Sequence, residues 1–248
     1  MRAKWQVAIL ASMLMLVMSG TMWAGTNLGM QISTTSPTGS VTLCDNNVNY
    51  AGCTQNPIGG DLNPALGQIT FIGGVGGWSN NVTSGFGPPY ESLVPLLDIS
   101  TFSATTGGGA GPLTVLLSVS GVTSFQGLLN VIDSIGGTSS YAGTTITTQA
   151  WLSPANNPFC ASTSCGAVAL TSALTETGST YSGKMVGSGT FPNNPFAITL
   201  AVTINSQGNA DTTSFDNEFD IPEPAALSLL GSGLLGFGMA FRKKLLGV

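Results

Sequence analysis

Carboxylic acids are the side chains in this 248-residue sequence best suited to chemistry, because the sequence contains no histidine. That absence excludes histidine-dependent catalytic triads and histidine-ligated metal sites. Two carboxylates can hydrolyse a glycosidic bond when they flank it. The candidates for such a pair are Asp45, Asp61, Glu91, Asp98, Asp133 and Glu176. Their spacing singles out no pair. We therefore predict that the chain is not an enzyme and keep a secreted carboxylate-dependent glycosidase as a minor alternative.

Three further acids lie near the C-terminal end of a segment that alternates between apolar and acidic residues. If residues 211–221 form a strand, Asp216, Glu218 and Asp220 point to one face. Together with other oxygens they could hold Ca²⁺. They could also form a solvated edge that protects the strand from unwanted pairing. We prefer the second interpretation, predict no metal site and no cofactor, and expect this strand to pair with the one before it.

Aromatic side chains offer a second kind of site, because they can stack on sugars. Such residues more often fill a sandwich core or its rim. The candidates are Trp78, Tyr90, Tyr141, Trp151 and Tyr181.

The distribution of charge indicates membrane topology. Between residues 25 and 220 there are ten acids and a single cation, Lys184. The other five cations lie at the two ends of the chain, as expected for segments that flank a membrane on its cytoplasmic side. With six Lys and Arg against eleven Asp and Glu, the chain cannot present the basic face that nucleic-acid binding requires.

The N-terminal end fits a signal peptide. Arg2 and Lys4 precede an uncharged stretch at residues 7–18, which has the length of a signal-peptide hydrophobic region. We expect cleavage after Ala24, with Ser19 as the alternative. An uncleaved N-terminal anchor is the remaining possibility. A signal peptide implies the Sec translocon and signal peptidase as partners.

The C-terminal end combines three features in a fixed order. Pro222, Glu223 and Pro224 precede an apolar run at residues 225–241, which a basic cluster follows: Arg242, Lys243 and Lys244. Seventeen helical residues span about 25 Å, the short end of what crosses a bilayer. We predict one transmembrane helix whose basic cluster stops translocation.

These three features resemble the C-terminal sorting signal of PEP-CTERM proteins. The resemblance implies recognition by an exosortase, a membrane-embedded enzyme similar to cysteine transpeptidases. It also implies transfer to the cell surface or to the exopolysaccharide matrix of a bacterium with an outer membrane. A looser resemblance, at residues 194–204 and 213–216, is to the final strands of many PEP-CTERM ectodomains.

The segment between the two ends is predicted to be an all-β sandwich or jelly roll forming one domain, residues 25–220. Residues 196–204 alternate strictly between two faces, and residues 114–120 do so less cleanly. Further strands are predicted at residues 68–72, 144–152, 167–174 and 181–190, separated by Gly, Asn and Pro clusters that include Gly136 and Gly137. One short helix is predicted at residues 125–135.

The four cysteines form two pairs that are close in sequence, Cys44 with Cys53 and Cys160 with Cys165. Three connectivities are possible. We favour the sequence-local one, because the exported segment would lie in an oxidising compartment. A metal site is disfavoured by the absence of Cys-x-x-Cys spacing and of histidine.

The predicted function is that of a structural or interaction protein at the cell surface or in the extracellular matrix, with exosortase, the membrane and exopolysaccharide as partners. The alternative is a carbohydrate- or Ca²⁺-binding module on the cell surface.

Overall fold

Strands dominate the residues that the structure describes. The computed structural model describes residues 26–55, 60–88 and 96–222. The strands are β1 Asn27–Thr35, β2 Thr38–Cys44, β3 Gln68–Val75, β4 Trp78–Phe86, β5 Leu97–Thr106, β6 Leu113–Val122, β7 Gly127–Ser139, β8 Thr145–Ser153, β9 Val168–Ala169, β10 Leu174–Thr177, β11 Thr180–Phe191, β12 Phe196–Asn205 and β13 Asp211–Asp220. Two short 3₁₀ turns lie at Asp45–Asn47 and Thr163–Cys165.

The strands form two antiparallel sheets. In the first sheet the order is β10-β8-β12-β6-β1-β2, and β9 pairs with β8. In the second the order is β11-β7-β13-β5-β4-β3. One continuous set of buried apolar side chains draws on strands of both sheets. The predicted β-sandwich is therefore confirmed for the described residues.

Alternation along the strands builds this core. On β12, Ile198, Leu200, Val202 and Ile204 are all fully buried, which confirms the predicted inward face of that strand. Burying one such side chain stabilises the fold by about 1.5–3 kcal/mol relative to leaving it in water.

The last strand is placed differently from the prediction. β13 does not pair with β12; it lies in the second sheet, between β7 and β5. The turn at residues 206–210 therefore carries the chain from one sheet to the other. β13 is also not an edge strand, because it has hydrogen-bonded neighbours on both sides. The predicted division of its faces is correct: Phe215, Asn217 and Phe219 are buried, whereas Asp216 and Glu218 are exposed.

The helix predicted at residues 125–135 is wrong, because most of this segment belongs to β7. Over so short a segment, the apolar residues fit both the helical period of 3.6 residues and the strand period of two. Pairing with neighbouring strands decides in favour of the strand. β7 pairs with β11 over twelve residues and with β13 over eight. Gly136 and Gly137, predicted as a turn, lie inside this strand.

The strand predicted at residues 167–174 is also largely wrong. The segment contains the two-residue strand β9 and only the first residue of β10. The predicted strands at residues 68–72, 144–152 and 181–190 correspond to β3, β8 and β11, each with slightly different ends.

Candidate functional site

The outer face of the second sheet collects five of the ten charged side chains that the structure describes. Residues that lie opposite each other on neighbouring antiparallel strands share a face, so the register of β11, β7 and β13 arranges them in rows. One row contains Lys184, Ser134 and Glu218. The next contains Ser182, Gly136 and Asp216.

Three carboxyl groups meet on this face. One carboxylate oxygen each from Asp98, Asp216 and Glu218 lies within 4.8 Å of the others. Asp98 enters from β5, where it lies directly opposite Glu218. The register between β13 and β5 shifts between Phe215 and Asn217, at the position of Asp216. We call these three residues the carboxylate cluster.

The carboxylate cluster differs from the predicted acidic face in one member. The sequence pattern groups Asp220 with Asp216 and Glu218, whereas the structure brings Asp98 to them from another strand. Carboxylate oxygens at this separation have the chemistry that Ca²⁺ prefers, although exposed acids commonly gather without a metal ion. Alternation within β13 could not reveal Asp98, because its arrival depends on which strand pairs with β13.

Burial and neighbours shift the pKa values on this face. Partial burial raises the pKa of Asp216, and its hydrogen bond with Asp98 opposes that rise. A hydrogen bond between two carboxyl groups requires a proton on one of them. Partial burial also raises the pKa of Asp220, and the nearby Lys184 ammonium opposes the change. The face is thus rich in carboxyl groups that resist ionisation.

A shallow groove of about 570 Å³ runs beside the carboxylate cluster. Gly136 and Gly183 line it without side chains, and Lys184 and Glu218 flank it. Lys184 is the single cation between residues 25 and 220, so this groove holds the one positive charge of the predicted ectodomain. This groove offers a polar ligand a positively charged hydrogen-bond donor, Lys184, and a negatively charged acceptor, Glu218.

Of the other acids considered for glycoside hydrolysis, Asp45 and Asp61 do not line this groove. Asp45 and Asp61 lie near each other before β3 and accept hydrogen bonds from backbone N–H groups, including those of Gly67 and Thr70. Burial is the main cause that raises both their pKa values. Glu176 lies on β10 of the other sheet, but its carboxylate lies beside Gly183, one of the residues that line the groove. Glu91 is outside the described residues.

Asp133 is fully buried between the sheets. Burial raises its pKa to about 6, against hydrogen bonds from Asn217 and Thr148 that lower it. The sequence pattern of β13 places Asn217 on its inward face. A buried amide needs a hydrogen-bonding partner, so this pattern could have pointed to a buried polar residue such as Asp133.

Two of the aromatic residues considered for sugar stacking belong to the core. Trp78 is 1% exposed, and its indole Nε1 donates to the Gly111 carbonyl oxygen at 2.9 Å. Tyr181 is 7% exposed, and its hydroxyl donates to the Ser214 carbonyl oxygen at 3.0 Å. Tyr141 and Trp151 are half-buried, and Tyr90 lies outside the described residues.

Both sequence-local disulfides are present. Cys44 is bonded to Cys53 and Cys160 to Cys165, which confirms the favoured connectivity. The first pair is buried and closes the loop that follows β2, whereas Cys165 is exposed.

The predicted sorting signal begins where the fold ends. β13 ends at Asp220, Ile221 is still buried, and Pro222 is exposed. Glu223, Pro224, the basic cluster at residues 242–244 and the predicted transmembrane helix at residues 225–241 all lie outside the described residues. So does the predicted signal peptide at residues 1–24. Within the part of the chain that the structure describes, no helix is long and apolar enough to cross a bilayer.

A family model for the PEP-CTERM protein-sorting motif matches residues 220–244. The chain carries a PEP-CTERM sorting motif. The match includes Pro222, Glu223, Pro224 and the basic cluster, so the resemblance noted in the sequence is confirmed for these 25 residues. The motif indicates a surface protein that is exported and processed by an exosortase.

Comparison with solved structures finds distant likenesses among carbohydrate-binding modules. One, from the β-sandwich superfamily of these modules, is 13% identical with a TM-score of 0.35, over 80% of this chain and 74% of that one. A xylan-binding domain from Paenibacillus barcinonensis is 9% identical with a TM-score of 0.32, over 65% and 89%. The N-terminal cellulose-binding domain of a Cellulomonas fimi β-1,4-glucanase is 16% identical with a TM-score of 0.31, over 64% and 96%. These TM-scores are below 0.5, and we draw no conclusion about ligands from them. No curated protein matches the PEP-CTERM chain in sequence.

Proposed function

We propose that the PEP-CTERM chain is the precursor of a structural or interaction protein of the cell surface or the exopolysaccharide matrix. The observation that carries this proposal is the position of the sorting motif. The matched residues begin at Asp220, the last residue of β13, so the motif follows the sandwich without a linker. In this scheme the Sec translocon exports the chain, signal peptidase removes residues 1–24, and an exosortase processes the C-terminal end.

The surface of the sandwich supports a role in contact with polysaccharide. Hydroxyl groups follow one another across the outer face of the second sheet; for example, Thr105 and Thr212 are hydrogen-bonded at 3.1 Å. Hydroxyls both donate and accept hydrogen bonds, as sugars do. Hydroxyl groups carry no charge, so their hydrogen bonds with a neutral glycan would depend little on salt. In this proposal the protein has no catalytic role.

The test is to compare the native host with a strain that lacks exosortase activity. Intact mass and surface proteolysis would determine both termini and the location of the mature protein. We expect a product that lacks the hydrophobic C-terminal segment and is outside the cell only when exosortase is active. An identical, unshortened C-terminus in both strains would overturn the proposal.

A second candidate is a surface module with a defined ligand, and the groove beside Lys184 is the observation that favours it. Lys184 can donate to a sugar oxygen, and Glu218 can accept from a sugar hydroxyl. Saturable binding of one polysaccharide, lost in Lys184→Gln and Glu218→Gln but kept in Thr114→Val on the other sheet, would support this candidate. Weak binding that none of these substitutions changes would favour the structural role.

A further inference from the structure

We infer that two copies of this chain pair through β11, so that their six-stranded second sheets join edge to edge. The pairing is antiparallel, about a two-fold axis that passes through Val186 at right angles to the sheet. This inference goes beyond the proposed function, because it concerns the folded sandwich and not the processing of the chain. It follows from the free edge of β11 and from the side chains that this edge presents.

β11 is a long and regular edge strand. It has twelve residues, pairs with β7 along its whole length without a bulge, and has no strand on its other side in the described part of the chain. It contains no proline, and Lys184 is its single charged residue. Edge strands are normally kept from pairing by short length, bulges, proline or charges. Because β11 has only the one lysine, its free main-chain N–H and C=O groups can pair with another strand.

The other edge strands of the sandwich are shorter or interrupted. At the opposite edge of the second sheet, β3 has eight residues, and its pairing with β4 shifts between Phe71 and Gly73. In the first sheet, β2 has seven residues and β10 has four. Among the edge strands that the structure describes, β11 therefore offers the longest regular series of main-chain groups to a partner.

Packing on the inner side of β11 fixes which of its side chains face outward. Gly187 and Gly189 face inward, and Leu170 lies so close to both that a side chain at either position would collide with it. The strand therefore cannot turn over without losing this contact. Val186 and Lys184 face outward in every copy of the chain, so the side chains that a partner meets are defined.

An apolar row on the outer face ends at the free edge of β11. Val186 is 64% exposed and lies opposite Ile132 of β7, which in turn lies opposite Asp220 of β13. Pairing centred on Val186 places the two copies of this valine opposite each other and continues the row into the Ile132 of the second copy. Directly opposed side chains on antiparallel strands contact each other. The pairing thus removes from water an apolar side chain that the single chain leaves exposed.

Charge and side-chain size favour this register over its neighbours. With the axis at Val186, Lys184 of each copy lies opposite Ser188 of the other, and the two lysines are about 14 Å apart along the strands. This separation exceeds the Debye length of about 10 Å at 0.1 M salt. An axis at Lys184 would place the two lysines directly opposite each other, which is unfavourable. On the inner side, the axis at Val186 sets the long side chain of Met185 opposite Gly187, which has none.

Analytical ultracentrifugation of the protein that the native host produces tests the pairing. We expect a reversible equilibrium between monomer and dimer. Val186→Lys should raise the dissociation constant of the dimer about tenfold or more, because it places two ammonium groups opposite each other at the axis. The substituted side chain is exposed, so the fold should be unaffected.

The matched control is Ile72→Lys on β3, at the opposite edge of the same sheet, where the side chain is 53% exposed. This variant should dimerise as the wild type does. A wild-type protein that is monomeric at every concentration, or equal weakening by the two substitutions, would overturn the inference.

Single cysteine variants test the register. All four native cysteines are disulfide-bonded, so an introduced thiol has no native competitor. Directly opposed residues on antiparallel strands have Cα atoms about 4.5–5.5 Å apart, within reach of a disulfide. We expect Val186→Cys to form a covalent dimer on intact cells under oxidising conditions. Ser188→Cys should not, because its two copies would lie about 14 Å apart along the strands.

The cross-linked product also identifies the partner. A product with twice the mass of the chain would support pairing between two copies. A product that contains a different protein, or cross-linking by Ser188→Cys as efficient as that by Val186→Cys, would overturn the inference. Cross-linking on cells can be measured whether or not an exosortase shortens the chain, so failure of the proposed function would leave this test intact.

Discussion

Asn217 donates a hydrogen bond from its Nδ2 to Asp133 Oδ1 at 2.8 Å, at a point between the two sheets where neither residue is exposed. Asn217 comes from β13 and Asp133 from β7, and the hydroxyl of Thr148 on β8 reaches them from the opposite sheet. Thr148 Oγ1 lies 3.1 Å from both carboxyl oxygens of Asp133 and 2.9 Å from Asn217 Oδ1.

The single proton of the Thr148 hydroxyl cannot serve both neighbours. If Asp133 is ionised and accepts that proton, Asn217 Oδ1 receives none from Thr148. If Asp133 is protonated, it can donate to Thr148, Thr148 can donate to Asn217, and Asn217 donates back to Asp133. The protonated state therefore closes a ring of three hydrogen bonds, whereas the raised pKa of about 6 has burial as its main cause.

We predict that Asp133 makes the fold more stable as pH falls through about 6. Between about pH 4 and pH 6 the folded protein holds a proton that the unfolded chain, with a carboxyl pKa of 3.8, has released. Asp133→Asn keeps the ring and removes the titration. It should be roughly 2–3 kcal/mol more stable than the wild type at pH 8 and similar to it at pH 4. Urea unfolding at a series of pH values would measure this difference.

The hydroxyl of Thr148 supplies the complementary test. Thr148→Val should destabilise the protein at every pH by about 1–3 kcal/mol, because it leaves buried polar atoms without a partner. Thr114→Val is the matched control, since Thr114 faces outward on β6 and its hydroxyl is hydrogen-bonded to the Thr203 hydroxyl at 3.3 Å. Equal losses for the two variants, or a constant gap between Asp133→Asn and wild type at all pH values, would contradict the ring.

Asp211 is predicted to stabilise the other end of β13 by the opposite mechanism. Burial by itself would raise its pKa, but the hydrogen bonds that its carboxylate accepts lower it overall. The donors are the hydroxyls of Ser139, Ser140, Thr144 and Thr213 and the backbone N–H of Tyr141. Because the folded pKa is depressed, this stabilisation exists above pH 3.8 and is lost as pH falls below it.

Asp211→Asn should therefore cost about 2 kcal/mol or more at neutral pH, because an amide accepts fewer hydrogen bonds and carries no charge. The cost should shrink as pH falls through the depressed pKa of folded Asp211, because the wild-type carboxyl is then itself protonated. Thermal unfolding of the wild type and of Asp211→Asn at a series of pH values would measure this change in cost. A loss that stays the same from pH 7 down to the lowest pH at which both proteins still fold would contradict the role of the charge.

The carboxylate cluster should destabilise the protein slightly in the absence of a cation. Asp216→Asn removes a carboxyl group that resists ionisation, so we expect a gain of no more than about 0.5 kcal/mol at neutral pH, since solvent screens exposed charges. Lys184→Gln should have the opposite sign, because it removes the one cation near Asp220. Denaturant unfolding at low salt would measure the change in the free energy of unfolding for both variants. A stabilising effect of Lys184→Gln would show that the attraction to Asp220 does not matter.

The two disulfides should contribute unequally. Loops of these lengths predict about 2–3 kcal/mol at most for either bond. Cys44 and Cys53 are also fully buried, so replacing both with Ala removes packing as well. We expect that double variant to lose more stability than the Cys160→Ala, Cys165→Ala variant, whose second sulfur is exposed. A larger loss for the second variant, measured by melting temperature, would contradict this ranking.

Local patterns determined the fold class, the inward face of β12, the two faces of β13 and the sequence-local disulfides. Period-two alternation reports which side chains a strand buries, whichever strands lie beside it. The sorting motif was likewise readable from the sequence, because it consists of consecutive residues with their own composition and order.

Tertiary structure alone decided which strands are neighbours. The crossing of the chain between sheets after β12 places β13 beside β5 and β7, and only this placement brings Asp98 to Glu218 and Asp133 to Asn217. The same placement turned the helix expected at residues 125–135 into a strand. Alternation fixes a face but not a partner, since hydrogen bonding between strands depends on pairs of segments far apart in the chain.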